Sequence, residues 1–361
     1  YINPKNDFPL TKFTHRYDNV SSTIGYGKSM MVFHQLKMII GDDLFFKALK
    51  SLYESYKFKF LNWENIEKHF EKQYHKDLSW FFNQWVYKTG APELLLKDVN
   101  LTKEKNKSYN LRFTLAQNNI TYRLLIPISI VIKGNKVIKK VISLSEKEKQ
   151  YVINLKHRPI NLHIDPNYDI FRKLNPNEIP PSLSNIFSDT NKKNHYTPTI
   201  NPELHAILSV ILNAKSIVVK KNKLITSIFD FPQKEKLIDK NTIIIPSTQK
   251  TVIISGNLKT NHLFHYLKLP KEITISENSF SVNNKKYKGH NYLLVAVIKG
   301  QKPNKHILML YSQKQRVPNA VLNKIIHYQN YSYLVFKDTQ VIDKGEFPVD
   351  NNPMIFNFSK N

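Results

Sequence analysis

At Pro92 the spacing of apolar residues in this 361-residue chain changes from every third or fourth position to every second. Before that point Val32, Leu36, Ile39 and Ile40 fall on one helical face. Gly41 closes this helix, and Asp42 or Asp43 opens a second that buries Leu44, Phe45, Ala48, Leu49 and Leu52. Asn62 caps a third helix from Trp63 to Tyr74. Asp77 caps a fourth with Leu78, Phe81, Phe82 and Trp85 inside, and Gly90 and Pro92 stop it. After Pro92, segments 94–101, 109–117, 121–133, 136–144 and 150–155 alternate apolar and polar residues, with Gly134-Asn135 as a hairpin turn. Five or six such strands in about 80 residues predict a small antiparallel β-sandwich.

Residues 175–200 are rich in Pro, Asn and Ser and read as a linker. Beyond it, helical stretches (202–213, 260–268, 318–328) interleave with strand-like runs (215–220, 241–246, 250–255, 291–298, 306–311, 331–336), which predicts an α/β layered domain. The expected organisation is therefore multidomain α+β: a helical block at 1–92, a β-sandwich at 93–175, a linker at 176–200 and an α/β domain at 201–361.

Composition narrows the classes. The chain has no cysteine, which excludes disulfides, a cysteine nucleophile and cysteine-held zinc. No apolar run is long enough for a transmembrane helix. The net charge is +26, but only six of the 54 basic residues are arginine, and the excess is spread along the whole chain. Readers of bases and phosphates concentrate arginine and aromatics on one element. Dispersed surface lysine is the preferred reading, and a nucleic-acid partner is not expected. The alternative, a basic module in residues 176–361, predicts a steep salt dependence of nucleic-acid retention.

None of the thirteen histidines lies in a His-Glu-x-x-His motif. The only His-x-x-His, at His262 and His265, has Leu263 where the glutamate would stand. What the chain does carry is an ordered series near its start. Tyr26-Gly27-Lys28-Ser29 leads to Met31-Val32-Phe33-His34-Gln35-Leu36 and then to Ile40-Gly41-Asp42-Asp43-Leu44-Phe45. Trp80-Phe81-Phe82-Asn83-Gln84-Trp85, Gly90 and Pro92 follow. This series resembles the aminopeptidase N family of gluzincin zinc metallopeptidases, starting after the part that holds the zinc. The strands that follow resemble the small sandwich of that family, with Leu115-Ala116-Gln117, Ile126-Pro127-Ile128 and Ile164-Asp165-Pro166 in similar places. Ser29 departs from the family's glycine at its position.

The resemblance implies that residues 1–92 are the helical half of a thermolysin-like catalytic domain. It implies a parent protein that hydrolyses N-terminal residues from peptides with zinc, held by an N-terminal half that these residues lack. The chain opens on Tyr1 rather than Met, as a piece of a longer protein does. Its partners would be a peptide substrate and that N-terminal half. No residue of this chain is expected to bind zinc or another cofactor, and the chain alone is expected to be inactive. Bacterial relatives with such extensions point to the periplasm or cell envelope, with cytoplasm as the alternative.

In the family a tyrosine hydroxyl donates to the oxyanion that forms on the peptide carbonyl, and by resemblance this is Tyr26. Tyrosine suits the task because its ordinary pKa of about 10 keeps the hydroxyl protonated at neutral pH. The bland alternative is that Tyr26, one of nineteen tyrosines, is a buried aromatic at a helix start. Lys28 reads as an exposed or helix-supporting cation, His34 as a satisfied core histidine, and Trp80 and Trp85 as core. Ser255-Gly256-Asn257 lies at a strand-to-helix turn, where a helix N-terminus can hold phosphate. With one glycine and no Walker lysine, a tight turn is the better reading. The competing functional class is a family member without catalysis that binds or scaffolds peptides.

Overall fold

The computed structural model describes residues 2, 4–105, 107–118, 120–189, 191, 193–197, 208–210, 212–218, 224–225, 242–243, 251–300, 305–313, 319–349 and 351–358. The chain is mixed α+β, with several antiparallel sheets, and divides into two compact units, Tyr1–Glu178 with Asn351–Asn361, and Ile179–Asp350. No helix among the described residues is long and apolar enough to cross a membrane.

The first unit begins with a 3-10 turn at Leu10–Lys12 and the short helix α1 (Asn19–Ser22). A π-helical turn (Thr23–Lys28) then runs straight into α2 (Ser29–Ile40). α3 (Asp42–Tyr56), α4 (Trp63–Tyr74) and α5 (Ser79–Trp85) follow. The start of α4 shows why the chain turns there. The Asn62 side chain accepts from Asn65 N–H at 2.8 Å, so one of the unsatisfied first-turn donors is satisfied locally. Gly41 takes φ 88° between α2 and α3, a conformation that a side chain would strain.

Two antiparallel sheets complete this unit. β1 (Glu93–Lys103), β2 (Tyr109–Asn118) and β5 (Glu148–Leu155) form one, in the order β1-β2-β5. β3 (Leu124–Ile132), β4 (Lys136–Leu144), β6 (Pro159–Ile164) and β19 (Ile355–Asn357) form the other, in the order β19-β6-β3-β4. Gly134 and Asn135 turn β3 into β4 with φ 80° and 56°. Helices and sheets share one apolar cluster: Val32, Leu36, Phe70 and Phe82 belong with Phe113, Leu115, Ile128 and Ile164. The expected boundary between 92 and 93 does not divide this core. Trp85 sits at the join, fully buried, stacked on Tyr122 at 5.2 Å and edge-on to Phe171 at 5.7 Å.

Two boundaries need correcting. The final residues, expected to belong with 201–361, return to the first unit, where Ile355 pairs with His163 and Asn357 with Asn161. The stretch 176–200, read as a linker, carries α6 (Leu183–Phe187) and β7 (Lys193–Thr197). β7 is an inner strand, hydrogen-bonded on both sides. Its sequence, Lys-Asn-His-Tyr-Thr, has no apolar alternation to betray it.

The second unit is built on a seven-stranded mixed sheet. Its strands include β8 (Ala214–Val218), β11 (Thr251–Gly256), β15 (Tyr292–Lys299), β16 (His306–Ser312), β17 (Tyr333–Lys337) and β18 (Gln340–Gly345). The order is β18-β17-β15-β16-β11-β7-β8, antiparallel from β18 to β16 and parallel from β16 to β8. β15 and β16 are almost continuously apolar, as strands covered on both faces must be. Leu294, Ala296 and Ile298 enter one cluster with Phe280 and Val282, while Leu293, Val295 and Val297 enter another with Leu183, Ile186 and Val321. The first face is covered by a small antiparallel sheet of β12 (Ile273–Ser276), β13 (Ser279–Val282) and β14 (Lys285–Lys288). The second is covered by α6 and a helix at Asn319–Ile325. A two-residue parallel pair, β9 (Leu224–Ile225) and β10 (Thr242–Ile243), stands apart. Most of the helix expected over 202–213 lies outside the described residues, as do parts of the strands expected at 215–220 and 241–246.

His306 opens β16 opposite Lys299. Burial, with Lys299 adding to it against the weaker pull of Asp189, lowers its pKa to about 4. Unfolded, it takes its proton near pH 6.5. Between pH 6.5 and 4 the unfolded chain binds more protons, so stability falls as pH falls through that window. Replacing His306 by Gln is expected to remove on the order of 1–2 kcal/mol of that loss, read as the difference in urea-unfolding free energy across the window.

Candidate active site

The segment Thr23-Ile24-Gly25-Tyr26-Gly27-Lys28 forms a π-helical turn, wider by one residue than an α-turn. It is held from both ends. Upstream, the Asp18 carboxylate accepts from Ser21 N–H at 2.7 Å in a capping box. Downstream, α2 continues without a break. The turn faces two ways. Ile24, Gly25 and Lys28 are buried, while Tyr26 is 60% exposed. Single π-turns inside helices concentrate at functional positions because they push one side chain out of the helical register.

Tyr26 is therefore not a core aromatic. Its ring meets the edge of Phe13 at 5.6 Å and 72°, and among the described residues its hydroxyl has no hydrogen-bond partner. Phe13 also fixes the backbone behind the tyrosine. A Cβ on Gly25 would stand 2.2 Å from the Phe13 ring, so only glycine lets the ring and the turn meet.

Of the two readings of Lys28, an exposed or a helix-supporting cation, its burial removes the first. Its ammonium donates to the Lys88 carbonyl at 2.8 Å and lies 5.8 Å from the Phe171 ring centroid. Burial lowers its pKa, with the Asp7 carboxylate opposing. Thr23, Ile24 and Lys28 line one side of a cavity of about 600 Å³, with Gly90, Tyr122 and Phe171 across from them. Asp7 also borders it and accepts from Gly90 N–H at 2.7 Å. Tyr26 is not among the residues that line this cavity. Asp7, Phe13, Tyr122 and Phe171 carry no local motif, and the sequence reading passed over them.

The other candidates are accounted for. His34 Nε2 lies 2.9 Å from Asp169 Oδ1 and is satisfied there. Trp85 is core, whereas Trp80 is only half-buried under the Arg123 guanidinium at 4.2 Å. The turn after β11 serves itself. Asn257 Oδ1 accepts from Lys259 N–H and Thr260 N–H at 3.0 and 3.1 Å, and the 3-10 turn that follows, His262–Tyr266, has only five residues. Among the described residues no group of three or more His, Asp or Glu side chains is placed to hold a metal.

No family model matches the sequence, and no curated protein matches it. Among solved structures, aminopeptidase A of Legionella pneumophila, crystallised in complex with aspartic acid, is similar over 48% of this chain at 19% identity, with a TM-score of 0.36. The chain spans 20% of that protein's length. A likeness of that depth carries no argument about fold or activity.

The geometry makes Gly25 the sensitive point. Gly25→Ala is expected to destabilise the first unit by about 1–3 kcal/mol, since the added methyl must displace the Phe13 ring. In a Phe13→Ala background the same change should cost less than half as much. Urea unfolding of the two single variants and the double variant measures the coupling, and additive effects would remove Phe13 as the cause.

Proposed function

We propose that this chain supplies one part of a zinc aminopeptidase active site, in which the Tyr26 hydroxyl donates a hydrogen bond to the oxyanion formed on a scissile peptide carbonyl. One observation carries the proposal: Tyr26 is held outward on a glycine-flanked π-turn with its hydroxyl unengaged by the described residues. A donor fixed in advance stabilises developing charge without reorganising during the reaction. The rigid partner for that task is the helix behind the tyrosine, which α2 and its packing into the main core provide. Zinc and the groups that activate water belong, in this reading, to residues outside these 361, and no step through the metal is assigned to this chain. The substrate would be the N-terminal end of a peptide.

The test uses the protein that joins this chain to a His-Glu-x-x-His helix. Tyr26→Phe removes a single oxygen. It is expected to lower kcat for aminoacyl-amide hydrolysis by about 10² to 10³ with KM little changed. The 361-residue chain alone is expected to bind no stoichiometric zinc and to show no turnover. Unchanged kcat in Tyr26→Phe would sink the assignment. Peptide binding without turnover in the joined protein would place it with non-catalytic, peptide-binding proteins instead.

A further inference from the structure

The loop between α3 and α4 reads Lys57-Phe58-Lys59-Phe60-Leu61, and it holds its apolar side chains in water. Phe58 and Phe60 are 101% and 102% exposed, as open as in an isolated peptide, and Leu61 is 43% exposed. Phe58 also takes φ 63°, a left-handed conformation that bulky residues avoid. Two strained or solvated phenylalanines in sequence are unusual on a folded surface, where single exposed apolar residues are the norm.

The patch continues onto α3. Phe46, Lys50, Tyr53 and Lys57 follow one another at helical spacing along one face, and all four are exposed. Phe46 is 58% exposed and Tyr53 64%. Four lysines, Lys47, Lys50, Lys57 and Lys59, stand against two acids on this face, Asp43 at its start and Glu54, which pairs with Lys57 at 3.1 Å. Lys59 donates to the Ser55 carbonyl at 2.9 Å, which holds the loop against the end of α3. At the start of α4, Glu64 is already paired with Lys68.

We propose that this loop and the exposed face of α3 dock onto an anionic lipid bilayer surface. Phe58 and Phe60 enter the boundary between headgroups and acyl chains, and the lysines lie among the headgroups. The order of residues favours lipid over protein. A protein interface gathers its aromatic anchors at a dry centre and leaves charge to the rim. Here each phenylalanine has a lysine beside it. That order fits a surface with negative charge outside and hydrocarbon a few ångströms beneath. Lysine tolerates such a border because its stem is apolar and its ammonium stays in water.

The test is sedimentation of the purified chain with vesicles of phosphatidylcholine alone and of a three-to-one mixture with phosphatidylglycerol, at roughly 0.1 M salt. Binding is expected to the anionic vesicles and to be at least about tenfold weaker to the neutral ones. Phe58→Ser with Phe60→Ser should reduce partitioning about tenfold or more while leaving Tm unchanged, since neither ring packs on the fold. Lys57→Gln with Lys59→Gln should reduce it about fivefold per charge. Lys139→Gln with Lys140→Gln removes the same charge from exposed positions of β4 and should change binding by less than about twofold. No binding to anionic vesicles would overturn the proposal. So would equal losses from the two lysine pairs, which would make the effect one of total charge. Light scattering that shows a dimer split by the phenylalanine changes would assign the loop to a second copy of the chain.

Discussion

The first unit depends on a buried arginine. Arg172 has a side chain only 1% exposed. Its Nε donates to Asp165 at 2.7 Å, and its two terminal nitrogens donate to the two oxygens of Glu178 at 2.9 and 2.7 Å. Burial alone works against the charge, but the hydrogen bonds that Arg172 donates to Glu178 and Asp165 outweigh it and raise the guanidinium's pKa. Such a set is costly to desolvate and costly to break, because losing one member leaves a buried charge unpaired. What it secures is position. The segment it folds, from Asp165 to Glu178, has little regular structure of its own, yet it touches helices and both sheets of the unit. Asp165 N–H donates to the Pro127 carbonyl in β3, Asp169 meets His34 in α2, and Lys173 N–H donates to Pro92 at the head of β1. Phe171 fills the space between Trp85 and Lys28. Helices and sheets are joined through this segment as well as through their shared apolar core.

The candidate site follows from that joining. A π-turn is a weak element by itself, since its hydrogen bonds are poorly aligned and two of its six residues here are glycine. It persists because its inner side is fully committed. Ile24 enters the main core, Gly25 receives the Phe13 ring, and Lys28 reaches across to Lys88. With three neighbours fixed, Tyr26 is left the one side chain of the turn's centre that faces outward. Exposure of a large aromatic costs burial energy on the order of 1–3 kcal/mol, and the surrounding packing offsets it. The same reasoning separates Tyr26 from the nearby cavity. Thr23, Ile24 and Lys28 of the turn line the cavity and Tyr26 does not.

Much of this architecture is legible in the sequence, and the failures have physical causes. The helices of the first unit and its strands show themselves because each has one apolar face, and periods of 3.6 and 2 are readable without neighbours. Tyr26 is singled out by the family resemblance of the series from Tyr26 to Phe45, not by composition or periodicity. Phe13 and Asp7 are not singled out, because what makes them matter is contact with residues far along the chain or across a loop. The reading of 1–92 and 93–175 as separate blocks fails for the same reason. A change of period marks a change of element type, and it says nothing about whether the two elements bury their faces against each other. The burial of Lys28 is not legible locally, because lysine is seldom buried and the carbonyl of Lys88 and the ring of Phe171 that receive it lie far along the chain.

β7 shows the opposite case, an inner strand that hides behind polar composition. Lys193, His195 and Thr197 lie on one face and are each no more than 5% exposed, while Tyr196 on the other face is fully buried. The polar face is sustained by specific bonds. Lys193 donates to the Asp189 carbonyl, and His195 Nε2 lies 2.7 Å from Ser255 Oγ on the neighbouring β11. Asn261 then donates to the Tyr196 and Ser255 carbonyls at 3.3 and 2.8 Å, tying the ends of both strands together. An apolar strand in this place would pack as well in either of two registers, because a slip of one residue exchanges one greasy face for another. A histidine that must meet a serine cannot slip without breaking that bond, and a buried polar group that loses its bond costs about 1–3 kcal/mol. The polar residues that hide β7 in the sequence are thus the ones that fix its register on β11 within the parallel part of the sheet.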